Sequence, residues 1–150
     1  MAAGLSLKAA HLEAFRRKMD RHVGRLLTPE NLSPRLDVDD EVTLAAVTRP
    51  VVREMERLAP HGPGNPVPLL VCSHVKIAGE PRLMGKKNDH LSLFLQQDGK
   101  SLRAVGFGMG DLYESLRRAR SVSVAFTPQI NSWQGNESVE LHLKDVKIDS

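Results

Sequence analysis

The sequence predicts an α+β chain in which N-terminal helices precede a small antiparallel β-barrel. Up to residue 58, apolar residues recur at three- and four-residue steps. From residue 68 onward the period changes to two. Between the two regimes lies Pro60-His61-Gly62-Pro63-Gly64-Asn65-Pro66, with too much proline and glycine for a helix or a central strand.

Residues 8–26 read as an amphipathic helix, with Leu12, Phe15, Met19, Val23 and Leu26 on one face and Arg16, Arg17, Lys18, Arg21 and Arg25 over much of the rest. Thr28-Pro29-Glu30 reads as a cap followed by proline at the first helical position, starting a short turn that Ser33-Pro34 ends. Residues 35–39 suggest a short strand. The next helix is expected from Thr48, because Pro50 then falls in its first turn, where a missing N–H costs nothing; in a helix interior it would cost about 3 kcal/mol. Its apolar stripe reads as Val51, Met55 and Leu58.

A long strand is expected over 68–78, then a hairpin of 81–86 and 89–97 turning at Lys87-Asn88. Leu91, Leu93 and Leu95 point one way, and His90, Ser92, Phe94 and Gln96 the other. Asp98-Gly99-Lys100 is a turn before a strand at 102–107. Residues 110–119 read as a short helix. Val122, Val124 and Phe126 alternate in the next strand, residues 131–136 read as a loop, and Val139, Leu141 and Leu143 alternate in the last strand. Five or six short strands, with a small helix before the penultimate one, fit a Greek-key barrel of the OB type. Closing the sheet removes the exposed edges that a flat one would carry.

Composition narrows the function classes. The chain has 150 residues, a net charge of +3 and one cysteine. A single cysteine excludes an internal disulfide and fits a reducing cytoplasm, where the protein is expected. Cys72, within the apolar run Leu69–Ile77, reads as a buried core thiol. No segment approaches the roughly 18 apolar residues of a membrane span, so no membrane partner is expected. The basic excess is mild, ten Lys/Arg against nine Asp/Glu in residues 1–60 and eleven against nine in 61–150. It permits a nucleic-acid partner without arguing for one. The six histidines (11, 22, 61, 74, 90, 142) are scattered. Neither a metal site nor a catalytic nucleophile–base pair is expected in this chain.

Five ordered motifs carry a family resemblance. Met1-Ala2-Ala3-Gly4-Leu5 is similar to the end of a Gly-Gly-His-x-Met-Ala-Ala-Gly-Leu motif. Leu58-Ala59-Pro60-His61-Gly62-Pro63-Gly64-Asn65-Pro66-Val67-Pro68 is similar to a Leu-x-Pro-Phe-Gly-x-Gly-Asn-x-x-Pro junction, with His61 in place of the usual phenylalanine. Met84-Gly85-Lys86-Lys87-Asn88-Asp89-His90-Leu91 is like a Val-Gly-x-x-x-x-His-Leu hairpin. Ala104–Gly110, and Asn131-Ser132-Trp133-Gln134-Gly135 with a closing strand to Val146, complete the set. Together they resemble the C-terminal part of RecJ-type single-stranded-DNA-specific exonucleases.

The resemblance implies a 1–34 helical remnant of the domain that follows the catalytic DHH domain, a 35–67 connector and junction, and a 68–150 OB domain that holds single-stranded DNA. It further implies an upstream DHH domain before residue 1, using divalent Mn or Mg for 5′→3′ hydrolysis in DNA repair and recombination, with no cofactor and no nuclease activity in the present chain alone. A free-standing OB module, binding single strands or another protein, is the alternative.

Single-strand binding by an OB fold needs cations along a groove and aromatic platforms for bases. The candidates are Arg82, Lys86, Lys87 and His90 around one hairpin, Arg103, Lys144 and Lys147 on other strands, and Phe107, Asn131 and Trp133. Each has a plainer reading. Lys86-Lys87 also suits a solvated turn, Trp133 also suits pinning its loop to the barrel, and Phe94, opposite the leucines, suits either a base or packing against the preceding domain. Arg117, Arg118 and Arg120 suit the dipole at a helix C-terminus. Gly106-x-Gly108-x-Gly110 lacks a βαβ setting and reads as a tight bend, not a nucleotide loop.

Overall fold

Residues 1–36 and residues 37–150 form two separate compact units, and the computed structural model describes residues 4–28 and 34–149. In the first unit a 3-10 turn (Ala9–His11) leads into helix α1 (Leu12–Leu26), near the bounds its periodicity predicts. None of its residues is buried. Met1-Ala2-Ala3 and the turn expected over Pro29–Ser33 lie outside the described residues.

The second unit begins with strand β1 (Asp40–Glu41), which runs parallel to Leu70-Val71. The sequence places a strand at 35–39 instead. Asp39 explains the shift: its N–H donates to the Leu69 carbonyl at 2.8 Å and its carboxylate accepts the Leu69 N–H at 2.7 Å. The pairing therefore starts at this clasp. Helix α2 (Arg49–Glu56) follows Thr48 with Pro50 in its first turn, as expected. Its buried residue is Val52, however, with Met55 half-buried and Val51 and Leu58 exposed. Adjacent valines leave the stripe ambiguous by one position. Packing with Leu44 and Val47 into the barrel's apolar cluster selects Val52.

Strand β2 (Leu70–Met84) is continuous where the sequence suggests two strands. The apparent break at Ala78-Gly79-Glu80-Pro81 is a bulge, marked by a register shift between Ala78 and Arg82, with Gly79 at φ +74°. Pro81 is tolerated because a bulge does not use its missing N–H. A second shift lies between Cys72 and Val75, with His74 at φ +55°. These bends let β2 pair with two strands in succession. The rest follows as strand β3 (His90–Gln97), strand β4 (Lys100–Gly106), a 3-10 turn (Gly110–Leu112), helix α3 (Tyr113–Arg118), strand β5 (Val122–Trp133) and strand β6 (Asn136–Ile148).

Asp98-Gly99 joins β3 to β4 with both residues at positive φ, the geometry that matches strand twist in a two-residue hairpin. Gln134-Gly135 does the same between β5 and β6. The expected 131–136 loop is therefore strand at both ends, because the turn is only two residues long. Arg117 and Arg118 lie in the last turn of α3, as their dipole reading expects, and both also pair with Glu114, at 3.7 and 3.5 Å.

The sheet order is β1-β2-β3-β4-β6-β5, and β5 returns to β2. This closes a five-stranded barrel of the OB type, antiparallel except for the β4–β6 pairing. The core takes Leu91, Leu93 and Leu95 from β3, Val122, Val124 and Phe126 from β5, and Leu141 and Leu143 from β6, as the period of two requires. Cys72 is fully buried, and burial pushes its thiol above the ordinary range.

Two polar contacts fasten this barrel. Gln97 accepts the Leu44 N–H at 2.9 Å and donates to the Ser73 carbonyl at 3.1 Å, joining the segment before α2 to the β2 bulge. Asp149 accepts the hydroxyls of Ser121 and Ser123, both at 2.8 Å, and lies 3.2 Å from His74 Nδ1. The two hydroxyl bonds, with the nearby imidazole, hold its carboxyl below the usual 3.8.

Substituting Gln97→Leu strands a backbone N–H and a carbonyl, and is expected to cost about 1–3 kcal/mol in urea unfolding. Because the Asp149 carboxyl is depressed in the folded state, its contribution is present above the unfolded value and is lost as pH falls through the folded one. Asp149→Asn should therefore be less stable than the parent at neutral pH. The gap should close below about pH 3.8 in melts followed by circular dichroism.

Candidate nucleic-acid interface

The β2–β3 turn has a rigid base. His90 Nδ1 accepts the Gly108 N–H at 3.1 Å, and Gly110 N–H donates to the Asp89 carbonyl at 3.1 Å. A Cβ on Gly110 would sit 2.3 Å from the Asn88 carbonyl oxygen. Glycine is thus required there by close backbone approach, and the Gly106–Gly110 bend is a corner that grips the turn. Lys86 and Lys87 project from this turn, both exposed.

Phe107, 57% exposed, stands edge-on to His90 and to His142, with ring centroids 5.4 Å apart in each case. His90 is half-buried and holds the corner. Its Nδ1 is occupied as an acceptor, leaving Nε2 as the free ring nitrogen.

The outer face of β4, β6 and β5 is organised by a carboxylate that sequence reasoning does not single out. Glu140 is only 7% exposed. Its Oε2 accepts from Arg103 Nη1 and from Asn131 Nδ2 at 3.3 Å, and its Oε1 lies 3.1 Å from His142 Nε2. Arg103 also donates through Nε to Ser92 Oγ at 3.3 Å. Two of the candidates, Arg103 and Asn131, are therefore held by one buried acceptor. The missing signal is register: Arg103 and Glu140 are partners across the parallel β4–β6 pair, which alternation along either strand does not reveal.

The remaining candidates differ in kind. Arg82, Lys86, Lys87, Lys144 and Lys147 are exposed and form no ion pair with a described carboxylate. Lys144 lies at the β6 register shift opposite Ala125 and Phe126. Trp133 ends β5 and is 73% exposed. That degree of exposure does not fit a ring pinning the hairpin to the barrel. Phe94 is 50% exposed and borders a groove with Arg82, Met84, Ser92 and Arg103. The structure thus brings Arg82, Arg103 and Phe94 to one groove, places Lys86, Lys87, His90 and Phe107 at the corner, and puts Trp133 at the far hairpin.

A family model of the RecJ OB domain matches residues 38–145. The chain belongs to the RecJ OB-domain family. It is 27% identical to the single-stranded-DNA-specific exonuclease RecJ of Bacillus subtilis over 148 residues, covering 99% of this chain and 19% of that protein. It is 26% identical to the Escherichia coli enzyme of the same name, covering 97% of this chain and 25% of that one. The structure of Thermus thermophilus RecJ in complex with Mn2+ superposes with a TM-score of 0.76 at 24% identity, over 98% of this chain and 20% of the other. The chain thus spans a quarter or less of these relatives.

Among the described residues no three His, Cys, Asp or Glu side chains gather to hold a metal ion. No described helix is long and apolar enough to cross a membrane.

Replacing Glu140 with leucine conserves bulk but leaves Arg103, Asn131 and His142 without their acceptor. Partial solvation of Arg103 keeps the expected loss to about 1–3 kcal/mol, below that of a fully buried pair. Urea titration of Glu140→Leu measures it.

Proposed function

We propose that the barrel binds single-stranded DNA as the strand-holding part of a RecJ-type 5′→3′ exonuclease acting in DNA repair and recombination. Hydrolysis would then take place at a divalent-metal centre in an upstream DHH domain outside this chain. In this reading residues 1–34 belong to the domain that follows the DHH domain, residues 35–67 connect, and residues 68–150 grip the strand.

The observation that carries it is the coincidence of cations and exposed aromatic rings on the parts of an OB barrel that take oligonucleotides. In OB folds those parts are the face of the second and third barrel strands, the loop between the first and second, and the loop between the fourth and fifth. Here they correspond to β3–β4 with Phe94 and Arg103, the β2–β3 turn with Lys86 and Lys87, and the β5–β6 hairpin with Trp133. Arg82 and Lys144 extend the cationic surface. His90 and Asn131 support it through the corner and through Glu140, and Phe107 offers a further ring.

With few aromatic residues in the chain, phosphate contacts dominate, and affinity falls steeply with salt. Fluorescence anisotropy with labelled oligo(dT) tests this on the whole chain. Lys86→Ala/Lys87→Ala should flatten the slope of log affinity against log salt by roughly 1.4, two phosphates at about 0.7 each. Trp133→Ala should weaken binding by about 1–3 kcal/mol. Salt-independent binding, or a preference for duplex, would overturn the reading.

A further inference from the structure

Two grooves on the outer face share a wall. The first is bordered by Arg82, Ser92, Phe94 and Arg103. The second is bordered by the same Phe94 and Arg103, by Lys100 at the start of β4, and by Thr48, Arg49 and Pro50 at the start of α2. Phe94 and Arg103 face each other across β3 and β4. These two residues line both grooves, so the grooves adjoin along one face.

The second groove has the electrostatics that a phosphodiester chain requires. Arg49 and Lys100 are exposed, and neither pairs with a described carboxylate. Glu137 is the one carboxylate among the groove's lining residues, and it is already occupied. Arg53 Nη2 reaches both of its oxygens, at 2.8 and 2.6 Å. Its repulsion toward a phosphate is therefore largely cancelled before any strand arrives. Lys100, at the first position of β4, and Arg103, in its middle, both line this groove.

Arg49 is also held in place. Buried Val52, on the same short helix, packs into the barrel's apolar cluster with Leu44 and Val47, so α2 presents Arg49 from a docked helix and not from a linker.

We propose that the single-strand path continues past Phe94 onto α2, where Arg49 and Lys100 contact the phosphodiester backbone and Arg53 acts by neutralising Glu137. This rests on the single-strand reading above and extends the site to residues outside the barrel proper. A base stacked on Phe94 would direct its flanking phosphates toward Arg82 on one side and toward Lys100 and Arg49 on the other.

The test compares the whole chain with Arg49→Ala/Lys100→Ala and with Arg120→Ala, which removes a cation that lines neither groove, in oligo(dT) anisotropy across a salt series. The double variant is expected to flatten the log–log slope by roughly 1.4, while Arg120→Ala leaves it unchanged. Matched circular-dichroism melts confirm that the variants fold. If the parent chain binds but the double variant keeps the parent slope, the extension onto α2 is overturned and the barrel reading stands. If the folded parent chain does not bind oligo(dT), both fall together.

Discussion

Glu140 is the constraint on which the outer face depends. A carboxylate this deeply buried is tolerated only when its lone pairs are filled, and here three side chains from three different strands fill them. Arg103 comes from β4, Asn131 from β5 and His142 from β6 itself. The parallel β4–β6 pairing that completes the OB barrel is also what brings Arg103 level with Glu140. Fold closure and surface chemistry are thus linked through one residue. Held this way, the Arg103 side chain is already ordered in the free protein, which would lower the conformational entropy cost of a contact made through it.

The cations divide into two groups by their surroundings. Arg53, Arg57, Arg103, Arg117 and Arg118 each have a carboxylate partner and serve the structure first. Arg82, Lys86, Lys87, Arg49 and Lys100 have none among the described residues, and all are exposed. A net charge of only +3 conceals this division. Local pairing, not overall charge, decides which surface an anionic polymer meets.

Much of this was legible from the chain alone. The period of two identified Leu91, Leu93, Leu95, Val122, Val124, Phe126, Leu141 and Leu143 as core, and the position of Pro50 located the start of α2. The errors have local causes. Gly79 and Pro81 resemble a chain break because bulges and turns use the same residues. Gln134-Gly135 was hidden because glutamine is not a usual residue at positive φ. The clasp at Asp39, the latch at Gln97 and the hub at Glu140 each join residues distant in sequence, and no spacing rule encodes such pairs. The candidate cations were visible as residue types, but their division into paired and unpaired required the folded register.

Gln97 also bears on where this domain can be divided. The Pro/Gly-rich stretch at 60–66 looks like a natural boundary, yet Leu44, Val47 and Val52 on its N-terminal side belong to the same buried cluster as the barrel strands, and Gln97 bonds the Leu44 backbone directly. A recombinant fragment starting at residue 68 would keep every long strand and still lack part of its own interior. The compact unit accordingly begins at Asp37, and a chimera that transplants this barrel would need to carry the segment before the prolines with it.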